Sequence, residues 1–235
     1  MAPLRSTPAA AHAATMMVRG QAAPSSQTAA SRFKVYANPQ ERVRLPSLAR
    51  GRAAGVWDAL SGARGEPAEG GRLEQHELGR VLWAAAGLVD ARDRAHLVPG
   101  EVSGLEAYVL VHGVRDLSVG RYHYDVREHT LEQLGCDDPL AAAAHALADR
   151  AGLEAYAATL VLTGVPRRLA PHHGARAYRL LSLEAGAAAQ AGVVAAAALG
   201  LTGTLVADFY DAEVASLLDL DPALEPPLAV VLIGR

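Results

Sequence analysis

The stretch 176–201, RAYRLLSLEAGAAAQAGVVAAAALGL, limits what this chain can fold into more than any other. It reads as one long helix over 175–199, made almost wholly of Ala, Gly and Val with one Gln. Side chains this small cannot fill a core alone, but they let another backbone approach closely. The helix therefore belongs in a crowded interior or at a subunit interface, with Gly186 and Gly192 as close-packing positions. Residues 185–207 are nearly uncharged and long enough to cross a bilayer. Ala and Gly insert weakly, however, and Arg176, Arg179 and Glu184 stand just upstream. The expectation is a buried helix followed by a strand, with no membrane partner. GLTG (200–203) follows a helix and lacks a basic residue, so it reads as a C-cap turn and not a phosphate loop.

A chain of 235 residues is long enough for a real core, as one large domain or two small ones. A net charge of −3 gives no case for binding nucleic acid. The lone cysteine, Cys136, excludes an intramolecular disulfide and a cysteine-rich metal site, and is expected to be buried or half-buried. Lys34 is the one lysine among the 22 basic residues, so any role needing an amine falls to it. Residues 1–30 are rich in Ala, Ser, Pro and Thr, and no acidic residue precedes Glu41. Such a segment cannot bury enough apolar area to offset its ordering entropy. It is expected to form a disordered arm, with 1–45 disordered or extended and 46–235 as the domain. No unbroken apolar run follows a basic start, so a cytoplasmic location is expected.

FKVYANPQERVRLPSL (33–48) reads as an extended lead-in with Pro39 and Pro46 as breakers. A short helix is expected at 56–60 and a clearer one at 74–87, where Leu78, Val81, Leu82 and Ala85 share a face before Gly87. Residues 105–114 and 120–125 read as strands, with Tyr122 and Tyr124 on one sheet face by period-2 alternation. Residues 129–134 are expected to return as an antiparallel strand. An Ala-rich helix at 139–151, a buried strand at 156–165, a short helix at 211–220 and a terminal strand at 227–234 complete an α+β pattern.

Several phrases, collinear over roughly 31–235, resemble the SagB-type azoline dehydrogenases of the nitroreductase superfamily. They are FKVYANPQERVRLP, WDAL, LWAAAG, GRYHYDVREHTLEQL, GARAYRLLSLEAG, AALGL, FYDAEVASLLDLD and EPPLAVVLIGR. The resemblance implies a nitroreductase-like α+β fold, a mostly antiparallel central sheet flanked by helices. It also implies a homodimer with FMN held between subunits. The implied reaction oxidises thiazolines and oxazolines of a ribosomally made peptide to azoles. A base takes the ring Cα proton, the Cβ hydride passes to flavin N5, and oxygen reoxidises the flavin. The implied partners are a precursor peptide, a cyclodehydratase, and a second copy or paralogue of this chain.

The residues that the resemblance assigns to these roles are only partly kept. The family's arginine-rich phosphate phrase becomes SGARGEP (61–67), leaving Arg64. Its second FMN loop becomes VPGEVSG (98–104), keeping Gly100 and adding Glu101. Its Gly-Gly pair facing the flavin becomes Ala207 and Asp208, where a carboxylate opposes negative charge on reduced flavin. Gln190 and Arg235 match cofactor contacts. The family's histidine and asparagine beside Gln190 are Ala187 and Ala191. His172 and His173 stand at the catalytic Lys-Tyr pair, and imidazole suits a base. Read without the family, the two histidines are solvated loop residues after Pro171, and Arg167 and Arg168 a solvated loop edge. Tyr122, His123, Tyr124 and His129 read as sheet packing. Two functions follow: an FMN-dependent dehydrogenase, or a non-catalytic partner in a peptide-modification complex that has lost FMN.

Overall fold

A computed structural model of the chain describes residues 8–16, 30–48, 53–62, 67, 70–91, 93–148 and 152–235. The elements in order are α1 (Pro8–Ala14), β1 (Arg42–Arg44), α2 (Val56–Gly62), α3 (Gln75–Ala86), β2 (Leu105–Val111), β3 (Gly120–Asp125) and β4 (Thr130–Gly135). They continue with α4 (Leu140–Ala146), β5 (Tyr156–Gly164), α5 (Pro166–His173), α6 (Arg176–Ala198), β6 (Thr202–Val206), α7 (Asp211–Leu217) and β7 (Pro227–Gly234). The seven strands form one sheet in the order β1-β4-β3-β2-β5-β7-β6, antiparallel throughout.

Strand alternation sorts side chains to two buried faces. Leu105, Ala107, Val109 and Val111 of β2 join Tyr122, Tyr124, Leu160, Leu162, Val231 and Ile233 beneath α3 and α6. Tyr108 and Leu110 join Val161, Val230 and Leu232 beneath α4 and α7. Because both faces are covered, β2 and β5 are buried along their whole length. The lead-in segment is stitched to the sheet: β1 pairs with β4, and Ala30 N–H donates to Arg167 O at 3.3 Å. Within the stretch expected to be disordered, α1 is helical and exposed, tethered where Arg179 donates to His12 O at 3.0 Å.

The face expected for α3 is fully buried at Leu78, Val81, Leu82 and Ala85. The Glu77 carboxylate caps its first turn by accepting Glu74 N–H at 2.9 Å. Helix α6 is long and apolar enough to cross a membrane, yet half of its apolar window is buried inside the fold. A Cβ added at Gly192 would lie 3.3 Å from Ala85 Cβ of α3. Gly192 thus serves packing inside one chain, where the sequence left an interface open as well. Gly192→Leu is expected to overpack that crossing and destabilise the monomer fold by ~1–3 kcal/mol in thermal melts.

Three local expectations are corrected. Residues 166–173 form a helix, not a loop, with Pro166 at its first turn. Arg168 is buried, and Cys136, just past β4, is exposed. Gly120 opens β3 at φ +154, and an added Cβ would lie 2.3 Å from Gly135 O. Gly120→Ala therefore combines backbone strain with a backbone clash. It should cost at least ~1–3 kcal/mol by urea denaturation.

Candidate functional site

The candidate residues gather at two places. One is the end of the sheet where Leu105 faces Gly164 and α5 begins. A cleft of about 400 Å³ there is lined by Gly100, Glu101, Arg168, His172 and His173, among others. His172 is exposed and His173 half-buried at the end of α5, before Gly174. Their ring centroids lie 6.4 Å apart at 67°. A Cβ on Gly100 would lie 3.5 Å from His173 Nε2, so Gly100 keeps the cleft open beside that ring. Arg168 cannot offer free charge to an anion. Its guanidinium pairs with Glu106 and donates to Ser31 O at 2.7 Å and Leu105 O at 3.3 Å. Ala207 and Asp208 follow β6 at the same sheet end and are exposed. Strand β6 lies two strands from β5, about 10 Å across the sheet.

The second place is toward the opposite end, where Tyr156 faces Gly234. Arg235 donates to Arg72 O at 3.1 Å and forms an ion pair with Glu77. The Glu77 hydrogen bond holds Arg235 above its ordinary pKa. Burial works to lift the Glu77 pKa, but the bond from Arg235 outweighs it and leaves that carboxyl lowered. Arg64 lies outside the described residues. Pro67 approaches the last strand, since a Cβ on Gly234 would lie 2.5 Å from Pro67 Cβ. Gln190 is exposed on α6 and lines an open groove of about 680 Å³ between α2, α6 and residues 95–97. At 1.5 Å per residue, about 20 Å of helix separates Gln190 from the start of α6, next to the histidines. One chain therefore does not bring all the candidates together.

Between the lead-in and the sheet lies a polar network not foreseen as one unit. His123 Nδ1 lies 2.9 Å from Glu132 and Nε2 3.1 Å from Glu106, with all three side chains buried. Each carboxylate accepts one N–H, so the ring is an imidazolium. Burial opposes that charge, but the two carboxylates outweigh it and raise the His123 pKa. Arg42 approaches Glu132 Oε1 at 3.0 Å as an ion pair lacking hydrogen-bond alignment. Lys34 Nζ bridges Glu225 and Tyr108 OH, each at 2.7 Å. Burial alone would depress the Lys34 pKa, but Glu225 holds it raised. Only His123 and Lys34 had been singled out, His123 as sheet packing. Their carboxylate partners sit far away in sequence. A further open cleft of about 650 Å³, beside Phe33, Trp83 and Arg127, is lined by His129 and by none of the candidate cofactor or catalytic residues.

An antiparallel sheet with α6 against one face, and candidate residues at its ends, describes an α+β domain. The sequence profile of the nitroreductase family matches residues 6–235, and the chain belongs to that family. A protein of Methanocaldococcus jannaschii named as a candidate nitroreductase is 31% identical over 170 residues, 69% of this chain and 81% of that protein. A candidate nitroreductase structure from Ralstonia eutropha superposes with TM-score 0.68 at 21% identity, over 89% of this chain and 95% of that one. One from Anabaena variabilis gives 0.65 at 23%, over 77% of this chain but only 38% of that one. The Escherichia coli microcin synthetase McbBCD complex, with truncated pro-MccB17 bound, gives 0.65 at 20%, over 86% of this chain and 77% of the matched chain.

Members of this family typically bind flavin as FMN. The α2–α6 groove fits its ring. Alanines at 187, 191 and 195 and the Gln190 amide line it, an apolar wall with one polar group for a planar ring. Arg235 would have to leave Glu77 to hold the phosphate.

Proposed function

We propose that this chain is an FMN-dependent oxidoreductase that oxidises azoline rings in a peptide, with its site completed between two copies. The observation that carries this reading is the split of candidate residues into two open half-sites on one chain. A two-fold axis that sets one copy's α5 cleft against the other's α6 groove unites them. The exposed Val56 and Leu97 at the groove, with Trp57 and Leu60 also exposed on α2, give such a contact an apolar surface. The McbBCD complex, a structural neighbour bound to its pro-peptide, supports a peptide substrate and a modification complex as partner.

When bound, FMN supplies the two-electron acceptor. The protein's residues bind, orient and move the proton. His173, half-buried against Gly100, takes the ring Cα proton, and the more exposed His172 hydrogen-bonds the substrate. Gln190 orients the cofactor ring, and Arg235, with Arg64, holds the phosphate. The amides of Ala207 and Asp208 face the cofactor edge. The double variant His172→Ala/His173→Ala should retain flavin and lose ~10²–10⁴-fold in turnover. Unchanged turnover removes the histidines from the mechanism.

The Arg235–Glu77 pair and Glu101 favour a second reading, a non-catalytic partner without flavin. The visible spectrum of protein purified with excess FMN separates the two. A yellow protein with stoichiometric flavin supports the oxidoreductase. A colourless one, with no calorimetric binding, supports the partner.

A further inference from the structure

The cleft of about 650 Å³ beside Phe33 takes no part in the chemistry above. Several polar groups on its wall are already engaged. His129 Nε2 donates to Pro46 O at 3.2 Å, so Nδ1 accepts the Tyr124 hydroxyl at 2.7 Å. Burial outweighs the Pro46 bond and lowers the pKa of this ring, which stays neutral. Arg127 is held by Asp125 at 3.2 Å, and the Trp83 indole N–H donates to Leu88 O at 2.9 Å. What stays open is apolar: Leu48, Leu88 and Ala91 beside the half-buried rings of Phe33 and Trp83. Arg44 and Glu128 are exposed on the same wall, and neither side chain has an ion pair among the described residues. They offer a donor group and an acceptor group to a main chain.

The lead-in joins this cleft to the α5 cleft. Arg168, which lines the α5 cleft, donates to Ser31 O at 2.7 Å, and Phe33 lines this one two residues further on. An extended chain covers that step in about 7 Å. Leu169 of the first cleft and Leu45 and Val126 of the second belong to one buried layer. A peptide with its ring at His173 therefore needs only a few further residues to reach Phe33 and Trp83. We propose that this cleft anchors the peptide by one large apolar side chain, aromatic by preference, about two to four residues from the reacting ring. The preference for an aromatic comes from Phe33 and Trp83, since paired rings gain more than their buried area alone. The anchor rests on the peptide reading above for its occupant and adds a substrate class to it, peptides with such a side chain near the azoline.

The test uses three synthetic glycine- and serine-rich peptides, each with one thiazoline. Two place a phenylalanine about three residues before or after the ring, and the third has alanine at both places. Trp57→Phe leaves Trp83 as the one tryptophan of the full chain, so its emission reports this cleft. One phenylalanine peptide should shift that emission and bind roughly ten-fold or more tightly than the alanine peptide by calorimetry, from burial of one aromatic side chain. Leu48→Glu puts a charge on the apolar wall and Ala91→Phe fills it, both at exposed positions. Each should bring the phenylalanine peptide down to the affinity of the alanine peptide, with circular dichroism unchanged. In turnover with FMN, the same variants should raise KM by that factor and leave kcat unchanged, as loss of uniform binding requires. Equal affinity for all three peptides, or a phenylalanine advantage that survives both variants, overturns the anchor and leaves the proposed reaction intact. Altered sedimentation of Leu48→Glu without an effect on peptide affinity assigns the cleft to a second copy and also overturns it. A chain that binds the phenylalanine peptide through this cleft but oxidises no azoline overturns the reaction and supports the anchor.

Discussion

Replacing His123 with leucine is expected to cost about 3–5 kcal/mol of folding stability, the largest single-residue effect in this protein. The substitution removes the positive charge between two buried carboxylates and leaves Glu106 and Glu132 to repel each other. The same carboxylates hold the lead-in: Glu106 accepts Lys34 N–H at 3.0 Å and Glu132 accepts Tyr36 N–H at 3.2 Å. Loss of stability should therefore come with release of that segment. A protease specific for lysine reports it cleanly, because Lys34 is its one cleavage site. The wild type, with Lys34 held by Glu225, should resist cutting and His123→Leu should not. Equal resistance and equal urea midpoints would show that the network carries no stability.

The same cluster sets a pH window. The folded His123 pKa is raised, so its contribution is complete below the ordinary histidine value of about 6.5. It fades as pH rises through the folded value. For Glu106, burial opposes ionisation, but hydrogen bonding from His123 and the charge of Arg168 outweigh it, giving a pKa of about 2. That contribution is complete above 4.5 and fades as pH falls toward about 2. Urea midpoints measured across pH should form a plateau between about 4.5 and 6.5, falling on both sides, and the fall that begins near 6.5 should be lost in His123→Leu.

Mixing two inactive variants should restore activity, if each site takes one half from each copy. His172→Ala/His173→Ala damages the α5 cleft, and Ala191→Leu blocks the groove. In the mixed dimer, one site receives both lesions and the other receives none. With random pairing, half of the dimers are mixed, and the pool regains about a quarter of wild-type turnover. No recovery after subunit exchange, shown to occur by sedimentation of differently tagged copies, would place each site within a single chain.

Much of the fold was legible in the chain because local periodicity reports burial. The spacing of Leu78, Val81, Leu82 and Ala85 gave the buried face of α3, and alternation around Tyr122 and Tyr124 gave β3 and its face. Helix α5 was missed because Pro171 and the paired histidines read as a breaker and a loop. In a helix this short, a proline removes one backbone bond, and Pro166 starts the first turn. The candidate site was less legible. The phrases supplied His172, His173, Gly100, Gln190 and Arg235, but nothing in them reveals that the α5 cleft takes the first three while Gln190 and Arg235 lie elsewhere.

By itself, the sequence determined the strands, the small-sided central helix and the family, since each is written in neighbouring residues. Only the tertiary structure decided which charges meet. Arg168 read as a solvated loop edge, yet it is buried against Glu106; Arg235 read as a phosphate ligand, yet it pairs with Glu77. His96 and Glu184 lie far apart in the chain, yet they meet at 3.2 Å. A buried charge or imidazole is tolerable only with a partner, and the fold brings partners together from distant points along the chain. Periodicity reports which side of an element is buried, but not which residue lies across from it.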